Sequence, residues 1–481
     1  MTATEDEKNQ ADVLDEGSSK MPVMGIRHVQ TLLLFLGMVI GYCLRVSMSE
    51  AVVAMSNSMN VSHEFEVYDW SMNERSQILS SFFWGYTIMQ IPSGYLAASW
   101  SAQKLLTFGM LACGILNILT PLAAHYGGMI AVCACRVGMG LTQSCLLPCV
   151  HTFLSKWAPP SERARLGSFA YAGGQFGTVV ALPISGVIAG SSIGWPSIFY
   201  VFGALSICWS ILFYIFAFDH PSLHPRISNR EKEFIEISLK GSQEVEKPES
   251  KVKLSTPWKA IFTSVPMWAL ILVHCGQNWG YWTLLTEMPS YMNAVLKFDI
   301  EQNGFMSALP YLMMWILSFP VSWLSDYALK KGVSRGVARK VCNTIAHWGP
   351  AVALICLGAM NIHDSTVAVS ILVVAVGLNA GSLCGFQINH IDLSPNFAGT
   401  MMSITNCIAS VVAIVAPLIC GVIVTDETNV AEWRTVFYIS AVIYLLGNLI
   451  FIIFGQAEVQ PWNDEETPKS SKQSRRESAI P

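Results

Sequence analysis

Twelve long apolar segments restrict what this 481-residue sequence can fold into. About 20 apolar residues are enough for a helix to cross a bilayer, and every segment meets that length. Because lipid cannot hydrogen-bond to the backbone, every backbone N–H and C=O group must be paired within the protein, which favours helices. We therefore predict an all-α membrane protein with twelve transmembrane helices. The predicted spans are 29–56, 76–98, 104–125, 128–153, 164–189, 195–218, 265–289, 302–325, 341–361, 364–388, 396–424 and 433–455.

Composition agrees with a membrane protein and argues against several other classes. Hydrophobic residues make up 52% of the chain and charged residues only 13%, whereas soluble domains carry about 25% charged residues. The net charge of −4 argues against nucleic acid as a partner. All thirteen cysteines fall inside apolar segments, so we expect no disulfide framework, no metal cluster and no cofactor.

A polar stretch over residues 219–264 divides the chain into two halves of six spans each, 29–218 and 265–455. Within it, Glu231 to Leu239 forms an amphipathic helical patch, and the rest is charged, as in a linker. Tails over 1–28 and 456–481 complete the predicted domain organisation. Two six-helix halves are the pattern of a large class of transporters built from repeats.

The distribution of lysine and arginine predicts the orientation of the chain. The connections after even-numbered spans are basic, while those after odd-numbered spans carry few basic residues. By the positive-inside rule, both termini and the linker are then cytosolic. Asn60 begins the sequon Asn-Val-Ser in the first outer loop, so we expect it to be glycosylated.

Two arginines lie deep inside predicted spans: Arg45 in the first and Arg136 in the fourth. A guanidinium at the bilayer centre costs about 2.5–3.5 kcal/mol on insertion scales, and arginine stays charged in proteins. Arg45 either pairs with a carboxylate on another helix, reaches backbone carbonyls, or faces a watery cavity that attracts an anion. Because no carboxylate in the sequence is obviously placed to neutralise either arginine, the last interpretation is favoured. Tyr42 shares the face of Arg45 and is a further candidate ligand.

The seventh span carries a polar stripe of His274, Gln277, Asn278 and Tyr281 at helical spacing. Four hydrogen-bonding groups on one face of an apolar helix indicate a face that lines an aqueous path. His390 lies close to the cytosolic end of its span, so we expect it to act in a gate or to anchor a loop.

The connections after spans two and eight look related, reading PSGYLAASWSAQK and PVSWLSDYALKK. They resemble the cytosolic loop that latches the two halves of major facilitator transporters. The second copy has the acid and the basic residues of such a latch, Asp326, Lys330 and Lys331. The first copy lacks the acid, because serine and tryptophan stand at residues 99–101, so the predicted latch is one-sided.

Several stretches together resemble the anion-transporter family of sialin, the vesicular glutamate transporters and the type I sodium–phosphate cotransporters. They include YCLRVSMS, SSFFWGYTIMQIPSGYLA, KWAPPSERARLGS, NGFMSALPYL, NHIDLSPNFAGTMMSITN and FGQAEVQPWN. The resemblance covers almost the whole chain. It implies a major facilitator fold, alternating access, transport of anions, and functional roles for Arg45 and Arg136.

This chain departs from the family at three positions. Proton-coupled relatives carry glutamates where this chain has Met139 and Gln143, and neither residue can carry a proton. Vesicular glutamate carriers have an arginine where this chain has Gln277. We therefore expect transport of phosphate or a small organic anion, driven by a sodium gradient or by the membrane potential. Sodium is the one coupling ion expected, and a monomer at the plasma membrane is favoured.

Other functions stay open at this point. One alternative is a proton-coupled transporter of an organic anion such as sialate or an acidic amino acid, in a lysosome or vesicle. Another is an anion sensor on the same fold that moves no substrate. A membrane enzyme is disfavoured, because His390 and Asp392 form the only compact acid–base pair and no nucleophile stands beside them.

Overall fold

The computed structural model describes residues 25–56, 65–159, 162–244, 256–359, 364–394 and 397–463, and these ranges contain helices and no strand. Asn60, the predicted glycosylation site, lies outside them. The α-helices of the described ranges are α1 (Ile26–Ser56), α2 (Met72–Ser99), α3 (Ala102–Gln143), α4 (Leu146–Trp157), α5 (Arg163–Gly190), α6 (Pro196–Phe216), α7 (Asn229–Glu244), α8 (Trp258–Thr263), α9 (Val265–Ala294), α10 (Ile300–Lys330), α11 (Arg335–Ala359), α12 (Ser365–Leu378), α13 (Phe386–Leu393), α14 (Ala398–Ile423) and α15 (Val430–Phe454).

Nine helical stretches of the described chain are long and apolar enough to cross a membrane. One of them, Ala102–Trp157, has 56 residues, which is more than twice the length that one crossing needs. Its backbone leaves helical geometry at Gly128, where φ is 56° and ψ is −150°. Counting this stretch as two crossings, and adding the long but more polar helices α2 and α9, gives the predicted twelve.

Two predicted spans are interrupted in the structure. The fourth span was predicted to run unbroken to residue 153, but α3 ends at Gln143 and α4 begins at Leu146. The tenth was predicted as one helix to residue 388, but α12 ends at Leu378 and a 3₁₀ turn follows over Asn379–Leu383. Gly381 of this turn lies close to α11, since a Cβ there would be 2.6 Å from the Cys342 carbonyl.

The chain divides into two compact units. The first comprises Met1–Trp70, Gln77–Glu249 and Phe298–Ala308, and the second comprises Ser71–Ser76, Ser250–Lys297 and Leu309–Pro481. The start of α2 therefore belongs to the second unit and the start of α10 to the first.

In the first unit, α1 packs along α5 through small residues. A Cβ on Gly173 or Gly177 would lie 2.5 Å from the carbonyl oxygens of Phe35 or Val39, respectively. These glycines therefore let the backbones of α1 and α5 approach closely. The linker helix α7 docks on the same unit, because the Glu231 carboxylate accepts hydrogen bonds from the amides of Ile26 and Arg27, at 3.0 and 3.1 Å. A carboxylate at this helix N-terminus is stabilising.

In the second unit, α9 packs against α14 and α15, and α11 packs against α12 and α15. A buried apolar cluster, which includes Leu270, Phe386 and Phe451, fills the centre of this packing. At one end of α11, the guanidinium of Arg339 forms an ion pair with Asp392 of α13, with Nε 2.7 Å from Oδ2. Both side chains are only 8% exposed.

The contact between α2 and α3 depends on two glycines. A Cβ at Gly140 would overlap the carbonyl of Phe82, and one at Gly85 would overlap the carbonyl of Val137. We expect Gly140→Ala to lower the free energy of unfolding by about 1–3 kcal/mol, because the two backbones must move apart. The melting temperature of the detergent-purified protein measures this. Gly336→Ala is the control, since a Cβ there meets nothing within 4 Å, and equal melting of the two variants would contradict the prediction.

Candidate anion-binding site

Arg45 lies inside the first unit and is 5% exposed. Its Nε and Nη2 atoms donate hydrogen bonds of 3.1 and 2.9 Å to Oε1 of Gln143 on α3. The amide of Gln143 is fixed in turn, because its Nε2 donates to the carbonyl of Gly41 at 2.8 Å. A neutral amide therefore holds the Arg45 guanidinium.

Three aromatic rings surround the Arg45 guanidinium. Its Cζ atom lies 4.9 Å from the ring centre of Tyr42 and 4.8 Å from the ring centres of Phe82 and Tyr86. Cations are attracted to aromatic faces at such distances, by up to about 2 kcal/mol when desolvated. Tyr42 thus lies beside Arg45, and its role as an anion ligand stays a prediction. The rings hold the arginine in place while adding no negative charge that would compete with an anion.

Arg136, on α3, lies next to Arg45 and is 3% exposed. Its Nη2 atom lies 3.4 Å from the backbone carbonyl of Arg45, and its Cζ lies 5.0 Å from the ring centre of Phe82. The Nε atom of Arg136 has no hydrogen-bond partner. Within the described chain, no carboxylate forms an ion pair with Arg136.

The two arginines therefore form one buried, positively charged site around Phe82. Burying the Arg136 guanidinium without a carboxylate in ion-pair contact within the described chain is costly, so such an arrangement is typical of a site that receives counter-charge from a ligand. Guanidinium groups suit planar or tetrahedral oxyanions, because their N–H donors pair with two oxygens at once.

The sequence analysis did not find Phe82 and Tyr86, nor the hydrogen bonds that Gln143 accepts from Arg45. The aromatic pair Phe82 and Tyr86 is spaced by four residues, which places both rings on one face of α2. That spacing is visible in SSFFWGY, but it is equally typical of a lipid-facing helix. Nothing in the sequence tells which helix α2 packs against, and that decides the role of these rings.

The predicted polar stripe belongs to α9, in the second unit. His274 and Gln277 are each 5% exposed, and Asn278 and Tyr281 are partly exposed. Nδ1 of His274 and Oε1 of Gln277 have no hydrogen-bond partner in the described ranges. The His274 ring lies 5.0 Å from the ring of Phe386, and the Tyr281 ring lies 5.8 Å from that of Tyr311. Their role in lining a path stays a prediction.

The predicted latch residues Asp326, Lys330 and Lys331 are exposed at the end of α10. Nζ of Lys331 lies 5.6 Å from the ring centre of Tyr327, and the latch itself stays a prediction.

His390 is buried on α13, with Nε2 2.9 Å from Oγ1 of Thr405. Asp392 is bound to Arg339, so the two residues of the compact acid–base pair have separate partners.

A bundle of long apolar helices with a buried cationic site defines a multi-pass membrane carrier. The model of the Major Facilitator Superfamily matches residues 32–417, and the chain belongs to this superfamily. Its fold resembles that of a bacterial homolog of the human lysosomal transporter Spinster, with a TM-score of 0.70 and 16% identity over 91% of this chain and 99% of that chain.

Relatives of higher identity cover most of the chain. Human sialin is 37% identical, over 91% of this chain and 90% of its own length. Vesicular glutamate transporter 1 of Xenopus tropicalis is 34% identical, over 93% of this chain and 77% of its own length. A Drosophila melanogaster protein named "Putative inorganic phosphate cotransporter" is 42% identical, over 92% of this chain and 87% of its own length. The resemblance found in the sequence motifs is therefore confirmed.

Proposed function

We propose that the protein is a secondary transporter that moves inorganic phosphate or a small organic anion across a membrane by alternating access. The pair of buried arginines carries this proposal. Arg45 and Arg136 meet at Phe82, and an anion bound there would supply the negative charge that Arg136 lacks within the described chain. Relatives named for inorganic phosphate cotransport and for glutamate transport agree with an anionic substrate.

The driving force that we propose is a sodium gradient or the membrane potential. Met139 and Gln143 have no titratable group, so neither residue can carry a coupled proton. The amide of Gln143 serves instead as a hydrogen-bond acceptor for Arg45. A coupled cation offsets the electrical cost of bringing an anion into a negative interior, which is about 2.3 kcal/mol per charge at 100 mV.

We further propose a location in the plasma membrane, with both termini in the cytosol and the protein acting as a monomer. The orientation rests on the basic residues that follow even-numbered spans. The basic end of α10, with Lys330 and Lys331 exposed, and the start of α11 with Arg335 would then face the cytosol. The small anion and the lipid bilayer are the partners that this arrangement requires.

Uptake of radiolabelled phosphate into proteoliposomes tests the proposed function. We expect phosphate to accumulate when an inward sodium gradient is imposed and to equilibrate without one. If phosphate does not move, the same assay is repeated with labelled urate, aspartate and sialic acid under an imposed membrane potential. A protein that binds one of these anions but moves none of them would contradict transport and support the sensor function.

A further inference from the structure

Glu50 is a buried carboxylate that the anion site does not use. It lies on α1, five residues after Arg45, which places it about 140° around the helix from that side chain. Its side chain is fully buried, at 0% exposure. Neither carboxylate oxygen has a hydrogen-bond partner, and no ion pair reaches it within the described chain.

The surroundings of Glu50 supply no compensating charge. Helix α1 packs against α3, α4, α5 and α6, and none of their described titratable groups forms a hydrogen bond or ion pair with it. These groups are Lys104, Cys113, His125, Tyr126, Cys133, Cys135, Arg136, Cys145, Cys149, His151, Lys156, Tyr171, Tyr200, Cys208 and Tyr214. Ser47, one turn earlier on α1, is also buried, and its hydroxyl is unpartnered.

The other buried acids of the described chain have partners, which makes Glu50 distinct. Glu231 binds Arg27, and Asp392 binds Arg339. Glu287, on α9, accepts a hydrogen bond of 3.3 Å from the hydroxyl of Ser76 and interacts with the charge of Arg75. Glu231 and Asp392 each pair with an arginine, which compensates their burial, and Glu287 has partial compensation from Ser76 and Arg75.

A carboxylate without such compensation is too costly to keep charged away from water, so the group takes up a proton and becomes neutral. Ionisable groups inside membrane helices commonly serve as proton sites in transporters for this reason. We propose that Glu50 binds one proton in the buried state and releases it when α1 is exposed to water, so that a proton moves together with the anion. The proposal rests on the alternating-access transport proposed above and adds a proton to its driving ions.

The chemistry of this step is a single proton exchange. The Glu50 carboxylate forms one O–H bond by accepting a proton from hydronium on the side where it meets water. After reorientation, the O–H bond breaks and the proton returns to water on the other side. No oxidant, reductant or cofactor takes part, and a monovalent anion that travels with this proton crosses without net charge.

Proteoliposomes that contain the full-length protein test this inference with phosphate as the probe. At zero membrane potential, an inward gradient of one pH unit supports up to about tenfold accumulation of an anion that moves with one proton. We expect this accumulation in the wild type and in Glu50→Asp, which keeps a titratable group. In Glu50→Gln, which keeps the shape and loses the proton, we expect about onefold accumulation, while phosphate exchange at equal pH continues.

Two variants and one spectrum make the result decisive. Glu301→Gln, which changes an exposed acid at the start of α10, is the control and should keep the wild-type response. The proposal is overturned if Glu50→Gln still accumulates phosphate in response to the pH gradient. It is also overturned if Glu287→Gln loses this accumulation while Glu50→Gln keeps it. Infrared spectra give a readout that needs no transport: a protonated carboxyl band at neutral pH that is absent from Glu50→Gln supports the proposal, and no difference overturns it. Absence of phosphate exchange in the wild type would count against the proposed function, and the spectrum would still decide the proton site.

Discussion

Arg45→Ala is expected to lose nearly all anion uptake while the protein still reaches the membrane. In the structure, Arg45 is the arginine that three aromatic rings and the Gln143 amide hold in a fixed position. A bound oxyanion would accept its charged hydrogen bonds, each worth about 1.5–3 kcal/mol. Losing two of them corresponds to a fall of roughly 100-fold or more in uptake at low substrate concentration. Initial rates in proteoliposomes measure this, normalised to reconstituted protein.

Two further variants separate charge from geometry at this position. Arg45→Lys keeps the positive charge but loses the planar pair of donors, so we expect weak uptake that recovers at high anion concentration. Arg226→Ala removes an exposed arginine of the linker and should leave uptake unchanged. Normal uptake by Arg45→Ala would show that the anion binds elsewhere, and Arg136 would then be the first residue to examine.

Arg339→Met is expected to destabilise the second unit more than any loop substitution. It leaves the Asp392 carboxylate buried without its ion pair, and such a change costs about 3–5 kcal/mol. The Arg339 guanidinium also donates a hydrogen bond of 3.2 Å to the carbonyl of Cys384, just before α13 begins. Loss of the arginine should therefore loosen the junction between α11 and α13. Thermal unfolding of the purified protein and its yield in membranes measure the effect.

A double variant tests whether the ion pair itself is responsible. Arg339→Met combined with Asp392→Leu removes both charges, and well-packed apolar replacements of a buried pair are often neutral or better. We therefore expect the double variant to be more stable than Arg339→Met alone. Arg335→Met, which changes an exposed arginine one turn earlier on α11, is the matched control. If the double variant unfolds as early as Arg339→Met, packing of the arginine stem would explain the loss better than charge.

The membrane-crossing helices could be predicted from the sequence because lipid imposes both their length and their apolarity. Where helices break was harder to predict. α12 ends at Leu378 within an apolar run, and the close approach of the following Gly381 to α11 is visible only in the structure. Gly128 likewise sits in an apolar run, and only its positive φ shows that the helical geometry is interrupted there.

The candidate site was predictable to the extent that charge in a membrane is rare. Arg45 and Arg136 stand out because each is costly, whereas Phe82 and Tyr86 resemble any lipid-facing aromatic residue until their neighbours are known. For Glu50, the sequence shows the position of the residue but not its partners. Its position in an apolar span was visible, but only the structure shows that its carboxylate has no partner within the described chain.

The charge on Arg136 has an electrical consequence for the transport cycle. A guanidinium with no carboxylate in ion-pair contact within the described chain gives the empty carrier a positive centre at membrane depth. A monovalent anion bound there would offset only part of the positive charge that Arg45 and Arg136 bring to the site. In the proposed cycle, the loaded carrier would therefore move less charge across the field than the empty carrier, and each charge that crosses is worth about 2.3 kcal/mol at 100 mV. The resting potential would then act more strongly on the return of the empty carrier than on the loaded step, even when the anion concentration is constant.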